Sequence, residues 1–331
     1  MKIKKIYCCL NFFICIVLLM NQCSGFVYAQ ANEYPNRPIK LIVPFPPGGT
    51  LDIISRILMD PFAKSMGQPL IIENKGGGGG SIGANETAKA LPDGYSLGVV
   101  TSSTAAVNPA VNPRLGYNPI VDFTPIINIA ATPNLLAINP TFPANYYHTF
   151  FNELRLNPSK YSYASAGTGA IGNVLVEVYK GITGLSMTHI PYRGAGPALV
   201  DTISGHVLIV VDNLPSALSF IKDNKLIPIV VSGSRRLNIL PDVPTFRELG
   251  LEAANLSSFY GFYGPRGLSK EIVDKVSMTM KKILEDPAIR QKIENTGAVI
   301  VANSPEDFQT QIKSEYDMYL KIVKNHKITK D

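Results

Sequence analysis

The chain has 331 residues, of which 46% are hydrophobic and 17% charged, and its formal net charge is +6. The basic residues are scattered and not gathered into a patch, so charge gives no argument for a nucleic-acid partner. Beyond the N-terminal segment no run of about 18 apolar residues occurs, which excludes a chain embedded in the membrane.

Lys2, Lys4 and Lys5 precede an apolar run from Ile6 to Met20, and a polar stretch then ends in Val27-Tyr28-Ala29. This pattern predicts a secretory signal peptide over 1–29, cleaved after Ala29 or Ala31, and a periplasmic mature protein. An anchor helix needs about 20 apolar residues, and Asn11, Asn21 and Gln22 interrupt or bound this one. A lipidated Cys23 would need a small residue before it, where Gln22 stands. Cys8, Cys9, Cys15 and Cys23 all fall in the removed part. The mature chain then has no disulfide, thiol nucleophile or thiolate metal site, and losing three lysines and no acids lowers its charge to +3.

In chain order, Ile39 to Val43 reads as a strand, Pro44 to Thr50 as a turn, and Leu51 to Met66 as a helix with Ile53, Ile54, Ile57, Leu58 and Phe62 on one face. Leu70 to Glu73 is a second strand, followed by a glycine tract and a helix near Ile82 to Ala90. Pro92-Asp93-Gly94 is a turn launching Tyr95 to Val100. Further strands are expected at Tyr161 to Ser165, Met187 to Ile190, Val207 to Val211 and Ile227 to Val231, with helices between them. Such alternation implies parallel sheets flanked by helices. Ser269 is expected to cap a helix carrying Ile272, Val273, Val276, Met280 and Ile283. Ser304-Pro305-Glu306-Asp307 reads as a capping-box start for a helix with Phe308, Ile312, Tyr316, Tyr319 and Val323 in a core-facing stripe.

Open parallel sheets place ligands at the carboxyl ends of their strands. Two turns there are rich in glycine: Pro44-Phe45-Pro46-Pro47-Gly48-Gly49-Thr50-Leu51-Asp52 and Ser165-Ala166-Gly167-Thr168-Gly169-Ala170. Each puts free N–H groups and a helix dipole where an anion can sit, without a base or a metal ligand beside them. That combination favours holding a carboxylate over transforming it. The prolines stiffen the first loop and lower the entropy cost of ordering it around a ligand.

These segments, with Glu73-Asn74-Lys75 leading into Gly78 to Gly83 and Pro92 to Leu97, resemble the Bug family, the extracytoplasmic substrate-binding proteins of tripartite tricarboxylate transporters. Tyr163-Ala164-Ser165, Pro191-Tyr192-Arg193-Gly194, Gly205-His206-Val207 and Leu240 to Thr245 extend the resemblance from about Tyr34 to the C-terminus. It implies an α/β two-lobe periplasmic-binding-protein (flytrap) fold, each lobe a mostly parallel sheet flanked by helices, with the ligand cleft between lobes. Lobe 1 would span 32–134 plus 258–331 and lobe 2 would span 135–257. The resemblance implies ligand contacts from Phe45, Gly48, Gly49, Thr50 and Asp52, from Thr101, Ser102 and Ser103, and from Gly167, Thr168, Gly169, Tyr192, Arg193, Gly194, Ala195 and Asp212. Asp52 would rigidify its helix, since its charge repels a bound anion. The chain departs from the family pattern at Ala170, where a serine is usual, at Asn173, where histidine is frequent, and at Phe259, where tryptophan is common. Arg193 is the arginine expected near the cleft.

Gly79-Gly80-Ser81-Ile82-Gly83 spells the nucleophile-elbow pattern, but Ser81 follows a flexible glycine tract and not a strand, and neither His148, His189 nor His206 is placed beside it by the sequence. Gly167-Thr168-Gly169-Ala170-Ile171-Gly172 matches a dinucleotide fingerprint but lacks the acid expected after the next strand. Scattered histidines make no metal site, and Tyr146-Tyr147-His148 with Phe150-Phe151 read as packing. The expected protein is a non-catalytic monomer without cofactor or metal, binding a small carboxylate for membrane transporter subunits. The alternative partner is a sensor kinase.

Overall fold

A computed structural model describes residues 34–328 of the chain. The signal-peptide reading and the four cysteines lie outside the described residues. Strand β1 (Ile39–Val43) is apolar almost throughout, as a strand covered on both faces must be. Helix α1 (Thr50–Met66) buries Leu51, Ile54, Leu58, Phe62 and Met66 at helical spacing, and Gly67 ends it in the left-handed conformation. β2 (Leu70–Asn74) and β3 (Ser96–Thr101) pair parallel to β1 on either side. The glycine tract forms a tight turn at Gly78–Gly80 before α2 (Ser81–Ala88), and β3 runs through a wide helical turn, Ser103–Val107, into α3 (Asn108–Val111).

The organising element is β4 (Phe123–Ile138). Up to Pro133 it pairs antiparallel with β9 (Ser257–Pro265); from Asn134 on it pairs antiparallel with β7 (Ile209–Asn213) and β8 (Ile227–Val231). One sheet thus has a first section, β2-β1-β3-β9-β4, and a second section in which β5 (Ser162–Ser165) and β6 (Thr188–Pro191) extend beyond β7. The second section is flanked by α4 (Tyr147–Leu156), α5 (Ile171–Thr183), α6 (Ala195–Ile203) and α7 (Leu214–Lys222). The chain then returns through β9 to the first section. There α8 (Lys270–Glu285), α9 (Pro287–Glu294), β10 (Val299–Ile300) and α10 (Pro305–Asn325) complete the fold.

Both predicted caps form: Ser269 accepts the Ile272 N–H, and Ser304 accepts the Asp307 N–H at 3.0 Å. Phe308, Ile312 and Tyr319 of α10 are buried, Phe308 standing edge-on to Phe259. The parallel expectation holds for β1, β2 and β3 and for β5, β6 and β7, while β4, β9 and β10 run antiparallel to their neighbours. β4 and β9 were not anticipated, because Pro125 and Pro133 interrupt the β4 segment. The register shifts near Pro125 and Asn128 accommodate that irregularity.

Candidate ligand cleft

The first glycine-rich loop is built around Asp52. Gly48 takes a φ of +84°, open to glycine and strained for other residues, and its N–H donates to Asp52 Oδ2 at 3.1 Å. Arg56 Nε donates to the same oxygen at 2.9 Å, while Asn74 Nδ2 donates to Asp52 Oδ1 at 3.1 Å and to the Phe45 carbonyl at 3.0 Å. Burial pushes the Asp52 carboxyl up, but Arg56, the Gly48 N–H and Asn74 outweigh it and hold the group below its ordinary value. Held by these donors, the Asp52 carboxylate rigidifies the loop, as the resemblance implied. The N–H groups of Thr50 and Leu51 belong to the first turn of α1 and have no acceptor within the helix.

The second loop is locked by a histidine. Ser165 Oγ lies 2.7 Å from His189 Nε2 and accepts the Gly167 N–H at 3.2 Å. Asn173 accepts the Gly169 N–H through Oδ1, which leaves its Nδ2 to donate to Tyr163 Oη and to face His189 Nδ1. His189 then carries its proton on Nε2 and donates to Ser165. Burial lowers its pKa to about 4, so the ring is neutral. Ser165 thus accepts a hydrogen bond from His189, and the pair braces the second loop. Ser81 continues the glycine turn, its N–H donating to the Gly78 carbonyl. The other histidine contacts described go to Asp201, from His206, and to Tyr147, from His148.

Between these loops, at the junction of the two sheet sections, lies a narrow cavity of about 30 Å³. It is lined by Phe45, Gly49, Thr50, Leu51, Thr101, Ser103 and Asn134, and by Ala166, Ala170, Ile171, Gly172, Ala195, Val211, Asp212 and Asn213. The N-termini of α1, α5 and α6 open onto it at Thr50, Ile171 and Ala195, and that of α7 through its cap residue Asn213. Each contributes partial positive charge, although the Ile171 N–H of α5 is taken by Ser103 and the Ser216 N–H of α7 by Thr50. No lysine or arginine lines the cavity, and Asp212 is its one ionisable group. Two hydroxyls tie its walls together. Thr50 Oγ1 donates to Ser216 Oγ at 3.2 Å, and Ser103 Oγ accepts the Ile171 N–H at 3.1 Å.

Of the residues named from sequence, Phe45, Gly49, Thr50, Thr101, Ser103, Ala195 and Asp212 meet in this cavity. The remainder lie behind or beside it. Gly48 and Asp52 hold the first loop together. Ser102 donates to Glu315 and accepts the Phe259 N–H. Tyr192 donates to Asp201, and Arg193 is exposed to solvent. Gly167, Thr168, Gly169 and Gly194 form the seam where the sections touch: a Cβ on Gly79 would come within 2.7 Å of the Thr168 carbonyl, and one on Gly194 would collide with Pro46. Sequence reasoning missed Leu51, Asn134, Ala166, Ile171, Gly172, Val211 and Asn213 as lining. Asn213 had a signal, an asparagine at a strand end one residue before a helix. Asn134 had none, since it lies in the middle of β4.

Fold and cleft together define a solute-binding protein of the periplasmic type. Residues 54–328 match the family of tripartite tricarboxylate transporter receptors, and the chain belongs to that family. It is 31% identical over 297 residues to protein BugT of Bordetella pertussis, covering 89% of this chain and 91% of that one. The solved structure of a periplasmic transporter superposes with a TM-score of 0.88 at 41% identity, over 90% of this chain and 100% of the other. A protein of Rhodopseudomonas palustris solved with adipate gives a TM-score of 0.86 at 31% identity, over 90% of this chain and 99% of the other.

Proposed function

We propose that this protein captures a small carboxylate in the cavity between its two sheet sections and delivers it to the membrane subunits of a tripartite tricarboxylate transporter. The observation that carries the proposal is the convergence of helix N-termini on a cavity without a lysine or arginine. Partial charges and backbone donors hold a small anion without the tight grip of a buried ion pair, which suits a ligand that must be released. The relative solved with adipate supports the same ligand class.

The lobes of this reading are 32–134 plus 258–331 and 135–257, a division supported by the change of partners along β4 at Asn134. Export with removal of residues 1–29 or 1–31 accords with the receptor family, and among the described residues no helix is long and apolar enough to cross a membrane. The protein acts by binding and release and not by turnover, which its place in a receptor family supports.

A thermal-shift screen of residues 30–331 against carboxylic acids, amino acids and uncharged sugars tests this. A ligand at 100 times its Kd stabilises the fold by about 2.7 kcal/mol, enough to raise the midpoint visibly. Carboxylates are expected to raise it and sugars not; a shift with sugars alone would overturn the assignment.

A further inference from the structure

Asp212 is out of place in an anion site. It is the penultimate residue of β7, is 7% exposed, and is the one carboxyl in a cavity otherwise lined by helix N-termini, hydroxyls, amides and apolar groups. Its Oδ2 accepts the Ser216 hydroxyl, but α7 starts at Asn213 without any side-chain cap hydrogen bond, so the helix start does not require an acid at this position. Burying a carboxyl without need is costly, and burial pushes this one up to about 6 against the opposing pull of Ser216 and the Asn213 N–H. A carboxyl group has room for about four hydrogen bonds, and these two donors leave acceptor capacity toward the cavity.

A ligand carboxylate placed against Asp212 would meet like charge, whereas the N-termini of α1 and α5 offer it donors. The part of the ligand that reaches Asp212 must then supply what a carboxylate wants, a hydrogen-bond donor. We infer that Asp212 sets ligand specificity: it accepts a hydrogen bond from a hydroxyl or ammonium group carried by the bound acid beside its anionic head. This rests on the carboxylate reading above and narrows it to donor-bearing acids, such as 2-hydroxy and 2-amino acids.

The test is calorimetric binding at pH 8 of matched acids of three to six carbons, each unsubstituted, 2-hydroxy and 2-amino, among them succinate, malate and aspartate. Wild-type protein is expected to prefer a donor-bearing acid over its unsubstituted partner at least tenfold, since a site built for a donor leaves a buried acceptor unpaired without it. In Asp212→Leu that preference should fall below threefold. Should that variant not fold, Asp212→Asn keeps the shape and loses the charge, and a preference for the ammonium over the unsubstituted acid should fall likewise. Equal binding of matched acids by wild type, or a preference that survives in the folded variants, overturns the inference and leaves the carboxylate reading intact. Binding of no acid at all overturns both.

Discussion

Pro46 lies between two glycines from different parts of the fold. A Cβ on Gly76 would approach its Cδ to 2.5 Å, and one on Gly194 would overlap it from the opposite section. The φ of Gly194 is 168°, extended backbone that any residue adopts, so what the site requires is the missing side chain and not an unusual conformation. Gly194→Ala is therefore expected to leave the thermal midpoint within a few degrees of wild type while weakening carboxylate affinity at least tenfold, because it props the seam open. Unchanged affinity in calorimetry would mean that the seam does not close on ligand. Gly49 poses the opposite case. Its φ of −80° is ordinary and its Cβ would meet Ala195 at 3.5 Å, a normal contact. Gly49→Ala should bind nearly as wild type, whereas the branched side chain of Gly49→Val adds atoms toward Ala195 and should abolish binding in a folded protein.

At the scale of elements, α10 carries a half-buried acid into the first section. Glu315 accepts the Ser102 hydroxyl at 2.9 Å and the Gln311 amide at 3.0 Å, and pairs with no cation among the described residues. Burial raises its pKa from 4.5 to about 7, the two donors opposing that rise only in part. Below about pH 4.5 the group is protonated whether the chain is folded or not; between 4.5 and 7 only the folded state keeps the proton, so stability falls as pH rises through that window. The loss is roughly 1 to 3 kcal/mol. Glu315→Gln should flatten the fall in thermal midpoint between pH 5 and 7, and a slope equal to wild type would place the proton elsewhere. The sequence made the helical stripe of α10 and its cap legible but not this acid, since Glu315 reads as one charge among several on a polar face. The same limit applies elsewhere. The glycine and proline loops announced the cleft because their backbone needs are written in residue type, whereas β4 and Asn134 depend on partners distant in sequence.

For the whole molecule the question is what holds the two sections together. Asn134, where β4 changes partners, accepts the Asn213 amide and donates to the Leu256 carbonyl, so the crossing strands are tied to the cleft floor. Across the cleft the direct ties are Thr50 to Ser216 and Ser103 to the Ile171 N–H. Both join residues from opposite sections, and both are lost if the sections separate. A ligand favours the joined arrangement only by its differential affinity for it, so weakening these ties must lower apparent affinity. A buried hydrogen bond contributes about 1 kcal/mol, or about fivefold. Ser216→Ala, which alters no cavity-lining residue, is expected to lower affinity by about that factor. Thr50→Val should cost more, because Thr50 Oγ1 also accepts the Ser216 N–H at 3.2 Å, and the double variant should lose less than the product of the two, because both remove the hydroxyl–hydroxyl bond. Small-angle scattering should record a larger ligand-free radius of gyration in the double variant and a return toward the wild-type value on saturation with ligand. Fully multiplicative losses with unchanged scattering would mean that Thr50 and Ser216 act independently, and that the hydroxyl tie across the cleft does not govern closure.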